Sequence, residues 1–386
     1  MIAWFRYICL IVSLIITMPE LLAAQRLVSQ RQEDVEAGLL YNESVYILSN
    51  YSCLSSNSPE KLSLDELLRK QIEGFYFYLK RDTETNVLLL RKPDGTFTPF
   101  SESLEAIKTA LDADSTKVMT LFLDFYVETE LESSFKEIGL MEYVLEYDTK
   151  NGWPSLKDML SSGKRLVVFE VQKHLNSPSW LHNMRDFVEH TDADWGNQPE
   201  GVESFDERLK KNLSLFTGYK FLETSRGNSN DISALARQTP YLIESFKRAW
   251  IRDGRVPNFI LVDKYYAWLD VSLVTFRNFD IIYGAVTNNN ELLNYVNWDG
   301  MSNYTTGKYC FPLEPGAELM LSPISPGYRI EPATVYVSGT QRKAFAGDFK
   351  ARPLRIDEDI EIYLPFEGDE KDGSSNHNLT VSRNVE

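Results

Sequence analysis

The chain predicts an α/β protein built on parallel strands, either an open sheet or a TIM-like (βα) barrel, followed by a small β-rich extension. Three observations carry this. Apolar, β-prone runs alternate with helix-period segments from Val45 to Val286, the pattern that βαβ units produce. Two of the runs, "KVMTLFLDFYV" (117–127) and "RLVVFEV" (165–171), are nearly continuous in apolar residues, as strands covered on both faces must be. After about Asn290 the pattern shortens to stretches such as "AELMLSPIS", "ATVYVSG", "KAFAGDF" and "DIEIYLPF", with Pro and Gly between them.

Taken in order, "VYILS" (45–49) is the first strand, and it breaks into Asn50, Tyr51, Ser52 and Cys53. "SLDELLRKQI" (63–72) places Leu64, Leu67, Leu68 and Ile72 on one helical face. "GFYFYL" (74–79) and "NVLLLR" (86–91) read as strands. "SESLEAIKTALDAD" (101–114) opens with a Ser cap and a nearby Glu, the mark of a helix start. "ELESSFKEIGLMEYVL" (130–145) and "SLKDMLSSG" (155–163) are helical, and Gly163 stops the second. "NLSLFTGYKFL" (212–222) is a strand, "DISALARQTPYLIESFKRAWIRDG" (231–254) a long helix bent at Pro240, and "NFILVDKYY" (258–266) a late strand. "VSLVTFRNF" (271–279) leads into "DIIYGAV" (280–286), which closes the barrel region. The expected division is a signal peptide at 1–24, a lead-in at 25–44, the barrel at 45–286, a β-rich extension at 287–367 and a disordered polar tail at 368–386.

The 386 residues are 43% hydrophobic and 25% charged, enough apolar mass for a large core. A formal net charge of -16, with no basic run longer than two residues, argues against nucleic acid or an anionic membrane surface as partner. At the amino terminus Arg6, the apolar run Tyr7–Thr17 and Leu22-Ala23-Ala24 make a cleavable secretory signal. The run is short for a retained anchor, and no later segment is long and apolar enough to span a bilayer. The expected location is therefore secreted or the lumen of the secretory pathway. Sequons stand at Asn42, Asn50, Asn212, Asn303 and Asn378. After signal removal Cys53 and Cys310 remain, either as a disulfide or as two separate buried thiols.

Several stretches together resemble secreted phospholipase C-like phosphodiesterases with a phosphatidylinositol-specific X-domain barrel. They are "WPSLKDMLSSGKRLVVFEVQ" (153–172), "VMTLFLDFYV" (118–127), "SSFKEIGLMEYVLEYD" (133–148) and "VPNFILVDKYY" (256–266), in family order. The resemblance implies a (βα) barrel of the PLC-like phosphodiesterase type. It also implies a chemistry in which one histidine deprotonates the inositol 2-hydroxyl, a second protonates the leaving diacylglycerol oxygen, and an arginine or calcium ion offsets the phosphorane charge.

This sequence departs from that set. The resemblance puts Asn50 in the place of the first histidine, Glu73 in that of the arginine, Tyr78 in that of an aspartate and Arg91 in that of the second histidine. Any slip of register leaves the conclusion intact, because the first histidine in the chain is His174. Asp124 and Asp263 match acidic strand-end positions of the family. They read either as carboxylates that cap or pair locally or as ligand-binding groups, and two isolated carboxylates are too few oxygens for calcium. No catalytic residue, metal or cofactor is therefore expected. The leading expectation is a pseudoenzyme, a binding or scaffold protein whose partner is an inositol phosphate, a glycolipid or a protein. The rival is an active phosphoric diester hydrolase with Asp124, Asp263, Lys80 and Arg91 as substitute groups.

Other chemistry is poorly supported. His174, His182 and His190 are spaced by eight, not by the four that two zinc ligands on a helix need, and read as solvated histidines. There is no G-x-S-x-G nucleophile elbow. The run Phe75–Tyr78 reads as alternating core and lumen positions, with Tyr76 or Tyr78 able to occupy the mouth.

Overall fold

The structure is a computed structural model that describes residues 31–53, 63–70, 72–125, 131–147, 149–172, 177–192, 215–219, 247, 250–251, 254–262, 276–301, 304–339 and 342–355. The signal segment, most of 231–254 and the polar tail lie outside these residues. The chain divides into two compact units, residues 1–249 with 255–279, and 250–254 with 280–386.

Among its described residues the first unit is organised by eight parallel strands: β1 (Tyr46–Ser49), β2 (Gly74–Arg81), β5 (Met119–Asp124), β6 (Leu166–Glu170), β7 (Leu181–Asn183), β8 (Val188–Asp192), β9 (Leu215–Tyr219) and β10 (Phe259–Val262). Their order is β7-β6-β5-β2-β1-β10-β9-β8. The first strand lies between its successor and the last strand, Tyr46 beside Phe259 and Leu48 beside Gly74. In this order each strand pairs with its chain neighbour except β7 and β8, which end the path, and it differs from the reversed order of a doubly wound sheet. Side chains show the curvature. β5 and β10 are three steps apart along the sheet, about 14 Å if it were flat, yet the rings of Phe122 and Phe259 lie 5.3 Å apart. Phe169 stacks on Phe122 at 5.1 Å. These aromatics fill a barrel lumen, and the expected TIM-like α/β architecture is what the chain forms. A hairpin of β3 (Leu88–Arg91) and β4 (Phe97–Pro99) extends from β2.

The amino end of the barrel is closed by the segment before β1. Tyr41 donates its backbone N–H to Pro154 O at 2.9 Å, and Leu156 donates to Leu39 O at 2.9 Å. The Tyr41 ring lies 4.9 Å from both Tyr46 and Trp153, and its hydroxyl meets Thr120 Oγ1 at 2.6 Å. Lead-in and family-like helix are thus bound together beneath the lumen.

Local signals explain most helix limits. Ser63 caps the helix Leu64–Arg69 through a reciprocal pair with Glu66. Ser155 caps Leu156–Ser162, which ends at Gly163 with φ 74°. One expected start is corrected: the helix Phe100–Ala113 has Pro99, not Ser101, at its N-cap and no side-chain cap. β4 runs directly into Pro99, and Thr98 Oγ1 donates to Glu102 at 2.6 Å instead.

The second unit is β-rich, as expected. Its largest sheet contains β11 (Asp280–Asn288), β12 (Glu291–Leu292), β15 (Lys308–Leu313), β18 (Tyr328–Glu331) and β20 (Lys343–Pro353). Smaller sheets hold β13 (Val296–Trp298), β14 (Tyr304–Thr305) and β17 (Pro323–Ile324), and β16 (Glu318–Leu321) with β19 (Val335–Ser338). Residues 280–286, which the alternation assigns to the barrel, instead pair with β15 and β20. An apolar run fixes that a strand is buried but not which strand it joins. Trp298, Tyr309, Phe311 and Phe349 form the centre of this core.

Candidate functional site

The carboxyl ends of the parallel strands form the barrel's mouth, where such folds carry their sites. The alternation of β2 decides what reaches it. Phe75 and Phe77 face outward, stacked at 5.3 Å and capped edge-on by Tyr51 and Phe100. Tyr76 and Tyr78 therefore share the lumen face with their register partners Phe122 and Asp124. All but Phe122 are half-buried. Tyr76 donates from its hydroxyl to Asp124 Oδ2 at 2.9 Å, and Gln172 Nε2 approaches Asp124 Oδ1 at 3.5 Å. The end of β1 is fastened beside them. Ser52 Oγ accepts from the Tyr78 backbone N–H at 2.8 Å and donates to Arg91 O at 3.0 Å. Burial pushes the Tyr51 hydroxyl up to about 12, so it stays neutral.

The structure brings Tyr78 and Asp124 side by side and places Asn50 at the end of β1, only 3% exposed. That burial speaks against a glycan on Asn50 in the folded chain. Arg91 is exposed at the end of β3, and Lys80 is exposed with its ammonium 3.7 Å over the Phe97 ring. Asp263, Asn212, Asn303, Asn378, His174 and the side chains of Cys53 and His190 lie outside the described residues. The Cys53–Cys310 pairing is among these, while Cys310 Sγ accepts from Trp250 Nε1 at 3.0 Å. Asn42 is half-buried.

Glu73 requires a correction. It immediately precedes β2, at the amino end and thus the opposite end from Asp124. It is buried and ion-paired with Arg31 and, at 2.9 Å, with Arg277, while Arg31 also pairs with Asp34 at 3.5 Å. Burial opposes the charge on Arg31, but Glu73, Tyr46 and Asp34 more than offset it and raise its pKa above the ordinary arginine value. Glu73 is a partner in a buried charge network, and its charge does not face the mouth.

His182 is also corrected, from a solvated histidine to a buried one. It lies on β7 opposite Phe169, ringed by Tyr147, Trp153 and Phe187, with Nε2 3.1 Å from Leu145 O. Burial lowers its pKa. The sequence reading missed Glu170, fully buried at the end of β6, which accepts from Ser177 Oγ at 2.6 Å and Asn183 Nδ2 at 3.2 Å. A single carboxylate inside the otherwise apolar run 166–171 was the available signal. Among the described residues, no group of three or more His, Cys, Asp and Glu is arranged to hold a metal.

The family model described as PI-PLC X 1 matches residues 90–199. That match covers 110 of the 386 residues, and over this stretch the chain resembles a PI-PLC X domain. No curated protein matches it. Among solved structures, the chain is similar to the phosphatidylinositol-specific phospholipase C from Listeria monocytogenes, at 14% identity over 63% of this chain and 98% of that one, with a TM-score of 0.40. It is also similar to the S. aureus phosphatidylinositol-specific phospholipase C, at 13% identity over 61% and 94% of the two chains, with a TM-score of 0.39. Among the described residues of the PI-PLC-like chain, no helix is long and apolar enough to cross a membrane.

Proposed function

We propose that this PI-PLC-like chain is a catalytically inactive barrel that acts as a secreted or lumenal binding or scaffold protein. The observation that carries the reading is the lack of a histidine at the strand ends where the resemblance places the family's two histidines. The sequence holds no histidine before His174, and those ends carry Asn50, Tyr78 and Arg91. An amide cannot take up a proton near neutral pH, and a guanidinium cannot release one. Each missing acid–base group removes about 10²–10⁴ in rate. Glu73 no longer enters this argument, since it sits at the other end of the barrel. The mouth keeps Tyr76, Tyr78, Asp124 and Gln172, groups that bind hydroxyls but do not neutralise a phosphorane.

The test is release of inositol phosphate from labelled phosphatidylinositol by the purified mature chain, with and without calcium. No release above background is expected. Saturable turnover abolished by Asp124→Ala or Asp263→Ala would establish the phosphoric diester hydrolase reading in its place. Sequencing of secreted material from its first residue tests the compartment, with a start after Ala24 expected.

A further inference from the structure

The second unit holds a cleft of about 400 Å3 that the barrel's chemistry does not involve. Its walls come from two places in the chain: the hairpin of β11 and β12 with the residues that follow it, and the turn leading into β18. Asn288, Glu291, Leu292, Asn294, Tyr295 and Tyr328 line it. We propose that this cleft is a binding site for a neutral saccharide.

The walls are set by the backbone. Asn288 and Glu291 are the last pair of the hairpin ladder, and Asn289 and Asn290 between them have φ of 50° and 68°, the two-residue turn that holds a twisted hairpin rigid. Ser325 Oγ donates to Tyr295 O at 2.8 Å, and the Tyr328 N–H donates to Ser325 O at 3.1 Å. These bonds tie the Tyr295 segment to the turn opposite. A cleft fixed before binding loses little entropy when it is filled.

The lining selects the ligand class by exclusion. The volume lies within the usual range of small-molecule sites. Among the described residues, no Lys, Arg or His lines the cleft, so a phosphate, sulfate or carboxylate would find no counter-charge from them and would meet Glu291. An acyl chain would leave Asn288, Glu291 and Asn294 of the lining without polar partners. For a metal ion the lining supplies one carboxylate, and among the described residues no group of three or more His, Cys, Asp and Glu is arranged to hold one. What remains is a ligand that offers both hydroxyls and an apolar face. Asn288 and Asn294 each present a donor and an acceptor, as paired hydroxyls require. Leu292 and Tyr295 leave 51% and 41% of their surface in water, and tyrosine joins a flat apolar ring to a polar tip. A pyranose ring, with C–H groups on its faces and hydroxyls around its edge, matches both features.

The experiment titrates the purified chain by calorimetry with maltotriose, mannotriose, galactotriose and triacetylchitotriose, and in separate arms with choline and inorganic phosphate. At least one trisaccharide should bind with Kd of about 1 mM or tighter. Tyr295→Ala and Asn288→Ala should each weaken it at least about tenfold, while Tyr295→Phe keeps it and the melting temperature stays at the wild-type value. Asp124→Asn, in the barrel, should leave this binding unchanged. Absence of binding by all four sugars, binding that survives Tyr295→Ala, or preferential binding of choline or phosphate would overturn the proposal. None of these outcomes bears on the inositol phosphate assay.

Discussion

At the amino end of the barrel, Glu73 is buried between two guanidinium groups, with Asp34 completing the charge balance. At the carboxyl end, Asp124 is held by the Tyr76 phenol and, at 3.5 Å, by the Gln172 amide, and stays half in water. The two carboxylates belong to adjacent strands, and the resemblance gives both a place in the family's chemistry. Their surroundings separate them. The amino end uses its charges to close the barrel under Tyr41 and Trp153. At the carboxyl end Asn50 and Glu170 are buried, but Tyr76, Tyr78 and Asp124 stay half-exposed, so Asp124 is in reach of solvent and Glu73 is not.

The largest expected effect lies at the closed end. Glu73→Gln leaves Arg31 and Arg277 buried without their shared carboxylate and should cost about 3–5 kcal/mol, measured by urea unfolding. A loss below about 1 kcal/mol would show that the network is not what closes the amino end. Next comes Gly74→Ala. The added Cβ would lie 2.2 Å from the Thr120 backbone oxygen, so β2 and β5 must part, at a cost of about 1–3 kcal/mol seen as a lower melting temperature.

His182 sits between the ends and tests the lumen. Its folded pKa is depressed by burial, so the unfolded chain binds the proton at higher pH than the folded one. The stability that follows from keeping it neutral is fully present above about pH 6.5, the unperturbed histidine value, and is lost as pH falls below it. Urea midpoints at pH 7.5 and pH 5.0 should therefore differ in the wild type, and the difference should shrink in His182→Gln. A pH dependence unchanged by that substitution would place the titrating group elsewhere.

The smallest effects belong to the mouth. Tyr76→Phe removes one partly exposed hydrogen bond and should cost about 1 kcal/mol, while Asp124→Asn should stay within about 0.5 kcal/mol of wild type. If either proves as damaging as Glu73→Gln, the two ends are equally structural and the contrast between them fails.

The sequence alone pointed to the strands at 119–124 and 166–170, because a short, nearly continuous apolar run suits a strand covered on both faces. It determined the stop at Gly163, because a left-handed helix end favours glycine, and the lack of an early histidine, which is a matter of composition. It also placed Tyr76 and Tyr78 on one face of β2 by simple alternation. Only the tertiary structure decided that this face was the lumen, and that 280–288 joined the second unit. It alone decided that Glu73 was a buried partner of Arg31 and Arg277, and that His182 was buried among aromatic rings. These outcomes depend on which distant segments come together. Local periodicity fixes the direction of a side chain relative to its own backbone; its solvent, its charge partner and its availability to a ligand are set by residues far away in the chain.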